Sequence, residues 1–442
     1  MAKVGVVSLG CPKNLVDSEE ILGALAQSGW DIVSDEHEAD VILINTCAFI
    51  QSAKEESIDT VLEMTRLKTD GRCKSVIVTG CLAQRYGEQL RRELPEVDAI
   101  VGIGQAHALP RILDLTLSGR RVMDCAKPPE QWVEPQQRMR ATPAWTAYLK
   151  LSDGCDNRCS YCAIPDIRGP YRSRPLIHVL ADAEKLAREG VKEVNLVGQD
   201  ITRYGEDIGG SPAGLLRELL RLDGPMWYRL LYCYPTRISD ELIELVASEP
   251  RIANYLDVPF QHGDDAVLKR MNRRGSSADY IRLVKRLRAA CPDIALRTSV
   301  IVGFPGETGK EFARLVEFVN EIRFDHVGVF QYSQEEGAPA AALPLQVNDT
   351  TKLRRYDKLM AAQQSISLEI NRSFIGRDLD VLIERTSDDP AEPAIGRSYR
   401  DAPDIDGVVL TYGFAGEPGA IVRAKVIDAG EYDLIAGAIE PN

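Results

Sequence analysis

Six repeats of an apolar strand followed by a helical pattern occupy the sequence between Trp145 and Ser373. The strand segments are AYLKLSDG, EVNLVGQD, WYRLLYCYP, YLDVPFQHG, LRTSVIVGFPG and HVGVFQYS. Such alternation predicts a parallel sheet wound with helices, and six units predict an incomplete (βα)6 barrel. In folds of this kind the chemistry lies in the loops after the carboxyl ends of the strands. Those loops are therefore where functional side chains are expected.

The chain has 442 residues, which is more than one ordinary core accommodates. Residues 1–125 contain four apolar runs separated by helical patterns, which predicts an N-terminal parallel α/β domain. Residues 126–143 are rich in Pro and Gln and are interpreted as a linker. The barrel domain is assigned to residues 144–372. Residues 373–442 carry short β-type runs separated by Gly, Pro and Asp, which predicts a small antiparallel β domain.

Three cysteines, Cys155, Cys159 and Cys162, follow the first barrel strand within one loop. Three thiolates can hold three corners of a [4Fe-4S] cluster, which leaves the fourth iron without a protein ligand and open to chemistry. A structural zinc site would need a fourth Cys or His nearby, and the nearest histidine, His178, lies well beyond the loop. The spacing therefore favours a reactive cluster over structural zinc.

Cys11, Cys47 and Cys81 form a second, dispersed set in which each residue comes after a predicted strand of the N-terminal domain. Because parallel strands end at the same edge of a sheet, these thiols should converge in one crevice and could hold a second cluster. The alternative is three buried cysteines that pack as small apolar side chains. The remaining four are interpreted as structural, namely Cys73, Cys125, Cys233 and Cys291.

Composition and charge limit the compartment and the partners. No stretch approaches the roughly 18 apolar residues of a membrane span, so a cytoplasmic protein with unpaired cysteines is expected. The net charge is −13, and residues 373–442 contribute −8 of it, from 14 acidic and 6 basic side chains. This excess argues against phosphate-driven nucleic-acid binding and favours a basic protein partner, although acidic residues often serve only to solvate a surface.

Several barrel loops offer contacts for a cofactor. Gly303, Pro305, Gly306 and Glu307 lie in one glycine loop, where Gly and Pro permit close backbone approach and Thr308 is a possible helix N-cap. Gln199 ends the second strand, next to Asp200, and Gln261 ends the fourth, next to His262. Ordinary turn chemistry is the alternative for each, and is favoured for Asp200 and His262.

Three arginines follow the cysteine loop closely, namely Arg168, Arg172 and Arg174. Guanidinium groups bind carboxylates in bidentate fashion, so one or more of them, with Arg168 as the leading candidate, could contact a carboxylate of a cofactor or substrate. Salt bridges to nearby acids are the alternative.

The cysteine loop, with Tyr161 before its last cysteine, resembles the signature of the radical S-adenosylmethionine (SAM) superfamily. The resemblance implies that the amino and carboxylate groups of SAM chelate the open iron. It further implies that one electron cleaves SAM to methionine and a 5′-deoxyadenosyl radical. Tyr161, Gln199, Gln261, Arg168 and the glycine loop are then the expected cofactor contacts.

Together the three domains and both cysteine sets resemble the methylthiotransferase family, whose C-terminal module is an OB-like TRAM domain. The resemblance implies two [4Fe-4S] clusters, two molecules of SAM, and an electron donor such as flavodoxin. An unactivated C–H bond becomes C–S–CH3, the second cluster carrying or donating the sulfur.

One branch of the family modifies tRNA adenosines, and another modifies the β-carbon of an aspartate of small-subunit ribosomal protein twelve. Four stretches look like the second branch: residues 8–19, 255–262, 328–333, and 395–400 with 405–407. The expected partner is thus that basic ribosomal protein or the ribosome, with tRNA less favoured. A tRNA methylthiotransferase and an iron-sulfur redox sensor or binding module are the alternatives.

Overall fold

The computed structural model describes residues 2–135, 137–389 and 391–439. Its N-terminal part is a sheet of six parallel strands in the order β2-β1-β3-β4-β5-β6. The strands are β1 (Lys3–Ser8), β2 (Asp31–Val33), β3 (Val41–Thr46), β4 (Ser75–Gly80), β5 (Ala99–Val101) and β6 (Val122–Asp124). The helices are α1 (Pro12–Gln27), α2 (Gln51–Asp70), α3 (Cys81–Glu93) and α4 (Leu109–Leu117).

The central strands of this sheet agree with the sequence pattern. Every residue of β3 and β4 is buried, as expected where helices cover both faces of a parallel sheet. The edge strands β2 and β6 were not predicted, because each has only three residues and neither is fully buried.

The second part is a sheet of six parallel strands in the order β14-β13-β12-β11-β10-β7, the predicted incomplete barrel. Its strands are β7 (Thr146–Lys150), β10 (Glu193–Val197), β11 (Trp227–Leu230), β12 (Ile252–Asp257), β13 (Ala295–Val302) and β14 (His326–Gln331). Two short strands, β8 (Ser152–Asp153) and β9 (Arg172–Ser173), form a separate antiparallel pair.

Eight helices accompany this sheet in the described residues: α5 (Ile164–Arg168), α6 (Leu176–Arg188), α7 (Pro212–Arg221), α8 (Asp240–Ser248), α9 (Asp265–Arg270), α10 (Ser277–Ala290), α11 (Gly309–Ile322) and α12 (Asp349–Arg372). Thr308 is the N-cap of α11, as predicted, and forms a capping box with Glu311. The glycine loop is therefore anchored to the start of a helix.

The C-terminal part is a closed five-stranded barrel in the order β15-β16-β17-β19-β18. Its strands are β15 (Asp378–Arg385), β16 (Ala394–Arg397), β17 (Val409–Tyr412), β18 (Ile421–Ala429) and β19 (Leu434–Ala438). The strand pairs are antiparallel, as expected, except that β17 and β19 close the barrel as a parallel pair. The predicted fold class is thus confirmed, with one parallel closure added.

The incomplete barrel is covered on both faces. Helices α6 to α12 pack against its outer face around one large apolar core. Its inner face packs against Val16 of α1 and against Leu382 and Ala402 of the C-terminal part. The segment 397–406, which leads from β16 towards β17, therefore packs across the amino-terminal halves of the barrel strands, where Arg229, Arg297 and His326 bind it.

Buried ion pairs reinforce this contact. Glu193 of β10 accepts hydrogen bonds from Arg229 Nε at 2.8 Å and from Arg397 Nη2 at 2.6 Å. Tyr255 Oη donates to Asp406 at 2.7 Å, and Arg297 Nε lies 3.2 Å from the same carboxylate. Such groups are tolerated inside a protein only when they are paired, so the two parts are fixed against each other.

No helix in the described part of the chain is both long enough and apolar enough to cross a membrane. The predicted domain limits at residues 125/126, 143/144 and 372/373 cut none of the helices or strands given above.

We expect Glu193→Gln to lower the free energy of unfolding by about 3–5 kcal/mol at neutral pH, because Arg229 and Arg397 would lose their shared buried carboxylate. Burial alone would raise the pKa of Glu193, but Arg397 and Arg229 lower it from 4.5 to about 2. The contribution of ionised Glu193 to the free energy of unfolding is therefore fully present above pH 4.5 and is lost as the pH falls towards 2.

Denaturant melts at several pH values measure this difference. Glu241→Gln is the control, since Glu241 pairs with Arg217 on the surface and its loss should cost less than about 1 kcal/mol. Equal destabilisation by the two variants would contradict the claim that the buried ion pairs of Glu193 stabilise the fold more than a surface ion pair does.

Candidate functional site

The loop with Cys155, Cys159 and Cys162 lies between β8 and α5, after the first barrel strand. Cys155 N donates to Gly169 O at 3.1 Å, and Cys162 N donates to Cys159 O at 3.0 Å. Gly154 has a φ of +71°, and a Cβ at this position would meet Pro170 O at 2.0 Å. Only glycine permits this approach, so the backbone itself fixes the start of the cysteine loop.

Burial raises the pKa of two of these thiols, that of Cys155 to about 11 and that of Cys162 higher still. Arg273 opposes the effect of burial at Cys162, and its Nη1 lies 3.7 Å from Cys159 Sγ. A metal that ligates these sulfurs would displace their protons.

The second cysteine set gathers at the carboxyl edge of the N-terminal sheet. Cys11 caps α1, Cys47 follows β3, and Cys81 begins α3 directly after β4. These three strands are neighbours in the sheet, and a Cβ at Gly10 would lie only 3.1 Å from Cys47 Sγ. The structure thus brings the ends of all three strands to one crevice.

Asn14 holds this edge together. Its Nδ2 donates to Leu9 O at 2.6 Å and to Thr46 O at 3.3 Å, so one side chain ties together the ends of β1 and β3. Burial raises the pKa of Cys47 and that of Cys81, the latter to about 12.

Across the described ranges, no three His, Cys, Asp or Glu side chains converge closely enough to ligate a single metal ion. A cubane cluster does not require such convergence, because each thiolate ligates a different iron atom.

Arg168 connects the two cysteine sets. It lies on α5, just beyond the barrel cysteine loop, and only 1% of its surface is exposed. Its guanidinium pairs with Asp17 at 2.6 Å and Asp153 at 3.2 Å, and Nη2 lies 3.5 Å from Cys81 Sγ. These are the salt bridges that the sequence analysis considered as the alternative to a cofactor contact.

A second connection comes from the loop after β11. Lys13 of the N-terminal domain, two residues after Cys11, places its Nζ 3.2 Å from the centroid of the Tyr232 ring. Two residues later, Tyr234 stacks on Arg273 at 4.1 Å, and Arg273 in turn contacts Cys159. One short loop therefore touches the surroundings of both cysteine sets.

Three other predicted cofactor contacts, Gln199, Gln261 and Tyr161, lie in the loops at the carboxyl ends of the barrel strands. Gln199 keeps both amide atoms buried with no hydrogen-bond partner among the described residues, as expected of a side chain that awaits a ligand. Gln261 has a φ of +73° and is held by backbone bonds to β13, while Tyr161 packs beside Phe304 of the glycine loop.

Glu307 differs from these contacts. It accepts from Gly303 N at 2.9 Å and pairs with Arg355 at 2.9 Å, so its carboxylate faces its own loop. Gly303 and Gly306 both have positive φ, and Pro305 lies between them, so Glu307 shapes the glycine loop. Asp200 accepts from Thr202 nearby but also from Asn157 of the cysteine loop at 2.9 Å. His262 accepts from Asp264 N at 3.0 Å, and its Nε2 lies 3.5 Å from Glu307, so both side chains have contacts beyond a local turn.

Sequence reasoning did not single out three residues of this region: Lys13, Tyr232 and Arg273. Lys13 stands two positions after Cys11, which was its only signal. Tyr232 and Arg273 are distant in sequence from both cysteine sets.

Known protein families match all three parts of the chain. Three family models match: an uncharacterized protein family, UPF0004, at residues 3–102; the radical SAM superfamily at residues 149–319; and the TRAM domain at residues 375–439. The solved structure of the radical SAM methyltransferase TsrM from Kitasatospora setae aligns with a TM-score of 0.56 at 17% identity. It covers 88% of this chain and 82% of that chain, and it supports the fold alone.

Two curated relatives carry the name ribosomal protein uS12 methylthiotransferase RimO. The protein of Geobacter sulfurreducens is 50% identical over 99% of this chain and 98% of its own length. The protein of Pelotomaculum thermopropionicum is 49% identical over 98% of both chains. At this identity over the full length, the chain belongs to the RimO family of radical SAM methylthiotransferases.

Proposed function

We propose that this enzyme inserts a methylthio group at the β-carbon of an aspartate of ribosomal protein uS12, using two [4Fe-4S] clusters and two molecules of SAM. The observation that carries the proposal is that Arg168, which is buried, links the two cysteine sets. The names of the relatives supply the substrate.

The residues present fit both groups. Cys155, Cys159 and Cys162 would ligate one cluster and leave an open iron for SAM, while Cys11, Cys47 and Cys81 would ligate the second. When bound, these groups supply a 5′-deoxyadenosyl radical from one SAM, a methyl group from the other, and the sulfur. The unpaired amide of Gln199 is a donor and acceptor suited to a polar cofactor.

The side chains of the protein would hold the two clusters and SAM at fixed positions relative to one another. Arg168 fixes the N-terminal sheet edge over the barrel mouth, and Arg273 places a positive charge 3.7 Å from Cys159 Sγ. Tyr161, Gln261, Gly303, Pro305 and Gly306 would bound the cofactor, with Glu307 ordering the glycine loop. Holding the cofactors and the substrate in a fixed geometry lowers the entropic cost of bringing them together.

Surface charge supports a basic protein substrate over tRNA. The exposed acids of the C-terminal barrel are Asp378, Asp388, Asp389, Glu392, Asp404, Glu417, Asp428 and Glu431. The exposed bases there are Arg385, Arg423 and Lys425. An acidic surface attracts a basic ribosomal protein and repels a phosphate backbone. We propose accordingly a cytoplasmic enzyme that acts on free uS12 or on the ribosome, with an electron donor such as flavodoxin.

Removing single cysteines should separate the two clusters. We expect Cys159→Ala to lose about half of the bound iron and all formation of 5′-deoxyadenosine. Cys81→Ala should also lose about half of the iron, yet still form 5′-deoxyadenosine while producing no methylthio group. Iron analysis and product chromatography of the anaerobically reconstituted protein measure both.

Cys73→Ala is the matched control, because Cys73 is equally buried but lies at the opposite end of β4 from Cys81. It should keep all of the iron. Full iron content in Cys81→Ala would refute a second cluster at this edge.

The substrate can be tested directly. We expect the reduced enzyme with SAM to add a methylthio group to the target aspartate of a peptide that carries the uS12 loop, as mass spectrometry would detect. The same reaction with bulk tRNA should leave its adenosines unchanged. If the tRNA were modified and the peptide were not, the enzyme would instead be assigned to the tRNA-modifying branch of the family.

A further inference from the structure

Lys13 is a buried cation with no carboxylate partner among the described residues. Only 8% of its surface is exposed, yet no carboxylate oxygen lies within 4.0 Å of its Nζ in the residues that the structure describes. Lys150 offers the contrast, since it is 4% exposed and pairs with Asp17 at 2.5 Å and Glu20 at 3.0 Å. Lysine is almost never buried unpaired, because an ammonium group loses its hydration there.

Among the described residues, no carboxylate is available to pair with Lys13, whose neighbours are the Tyr232 ring and the Cys11 thiol. The Tyr232 ring covers one side of the ammonium group at 3.2 Å, and an ammonium group has three donors. The nearby acid Asp257 is engaged by Arg297 at 3.1 Å and by the Tyr232 amide at 3.1 Å. Asp17, one turn further along α1, is engaged by Arg168 and Lys150.

Lys13 lies close to the place where the reaction is proposed to occur. It follows Cys11 by two residues, and Tyr232 follows the carboxyl end of β11, where barrel enzymes carry out their chemistry. Lys13 therefore stands between the second cysteine set and the barrel mouth. An aspartate β-carbon is bonded directly to its carboxylate carbon, so a cation that holds the carboxylate also holds the carbon that receives sulfur.

We propose that Lys13 binds the side-chain carboxylate of the substrate aspartate and thereby selects an acidic residue as the acceptor. This inference rests on the proposed function. The Tyr232 ring orients the ammonium group, and the missing countercharge is supplied by the substrate itself. A neutral acceptor, such as an adenine ring or an asparagine, leaves the buried ammonium unpaired and is disfavoured.

The test is a binding cycle with the holoenzyme in its oxidised state, which does not turn over. Titration calorimetry with SAM present measures the dissociation constants of the aspartate peptide and of its asparagine analogue. We expect wild-type enzyme to prefer the aspartate peptide by about 10- to 100-fold, the range of a hydrogen bond to a charged group. Lys13→Met should bind both peptides equally, and Lys13→Arg should retain most of the preference.

Two controls separate this role from a structural one. Lys192→Met removes an exposed lysine and should keep the full preference. Lys13→Gln repeats the test with a polar side chain if the methionine variant does not fold.

The possible outcomes are distinct. A preserved preference in Lys13→Met or Lys13→Gln would overturn the inference while leaving the proposed function intact. Weaker SAM binding with an unchanged preference would assign Lys13 to the cofactor carboxylate instead, and would overturn it as well. If the wild-type enzyme modifies tRNA and not the peptide, the proposed function itself fails and the inference fails with it.

Discussion

The buried guanidinium of Arg168 is the interaction on which the geometry of the site depends. It comes from the barrel, yet it pairs with Asp17 of the N-terminal sheet domain as well as with Asp153 beside its own cysteine loop. Removing either acid would leave a charge uncompensated in the interior, a cost of several kcal/mol. The two domains therefore cannot separate without exposing the edge that carries Cys81, and the distance between the two cysteine sets is fixed.

Much of this arrangement follows from local pattern. The six barrel strands and the four central runs of the first domain are apolar enough to be recognised individually. The rule that parallel strands end at one edge then places Cys11, Cys47 and Cys81 together without any knowledge of the fold's details. The short strands β16 and β19 escaped notice, because their pairing depends on closure of a barrel and not on their own sequence.

Side-chain partners across domains could not be predicted in this way. Arg168 was expected to bind a carboxylate of the cofactor or substrate, and Glu307 was expected to contact the cofactor as part of the glycine loop. The structure instead gives Arg168 two acids and Glu307 the amides of its own loop, because burial requires each charge to be compensated nearby. Lys13 shows the converse: its lack of a partner is apparent only after Tyr232, far away in sequence, covers it.

Segment 397–406 gives the C-terminal domain a second role besides its acidic surface. Because this segment packs against the amino-terminal halves of the barrel strands and Arg397 shares Glu193 with Arg229, the domain contributes to the interior packing of the barrel. A C-terminal domain transplanted from a relative with another substrate would need interior residues that fit this barrel. A change of substrate by domain exchange would therefore also require repacking of the barrel interior.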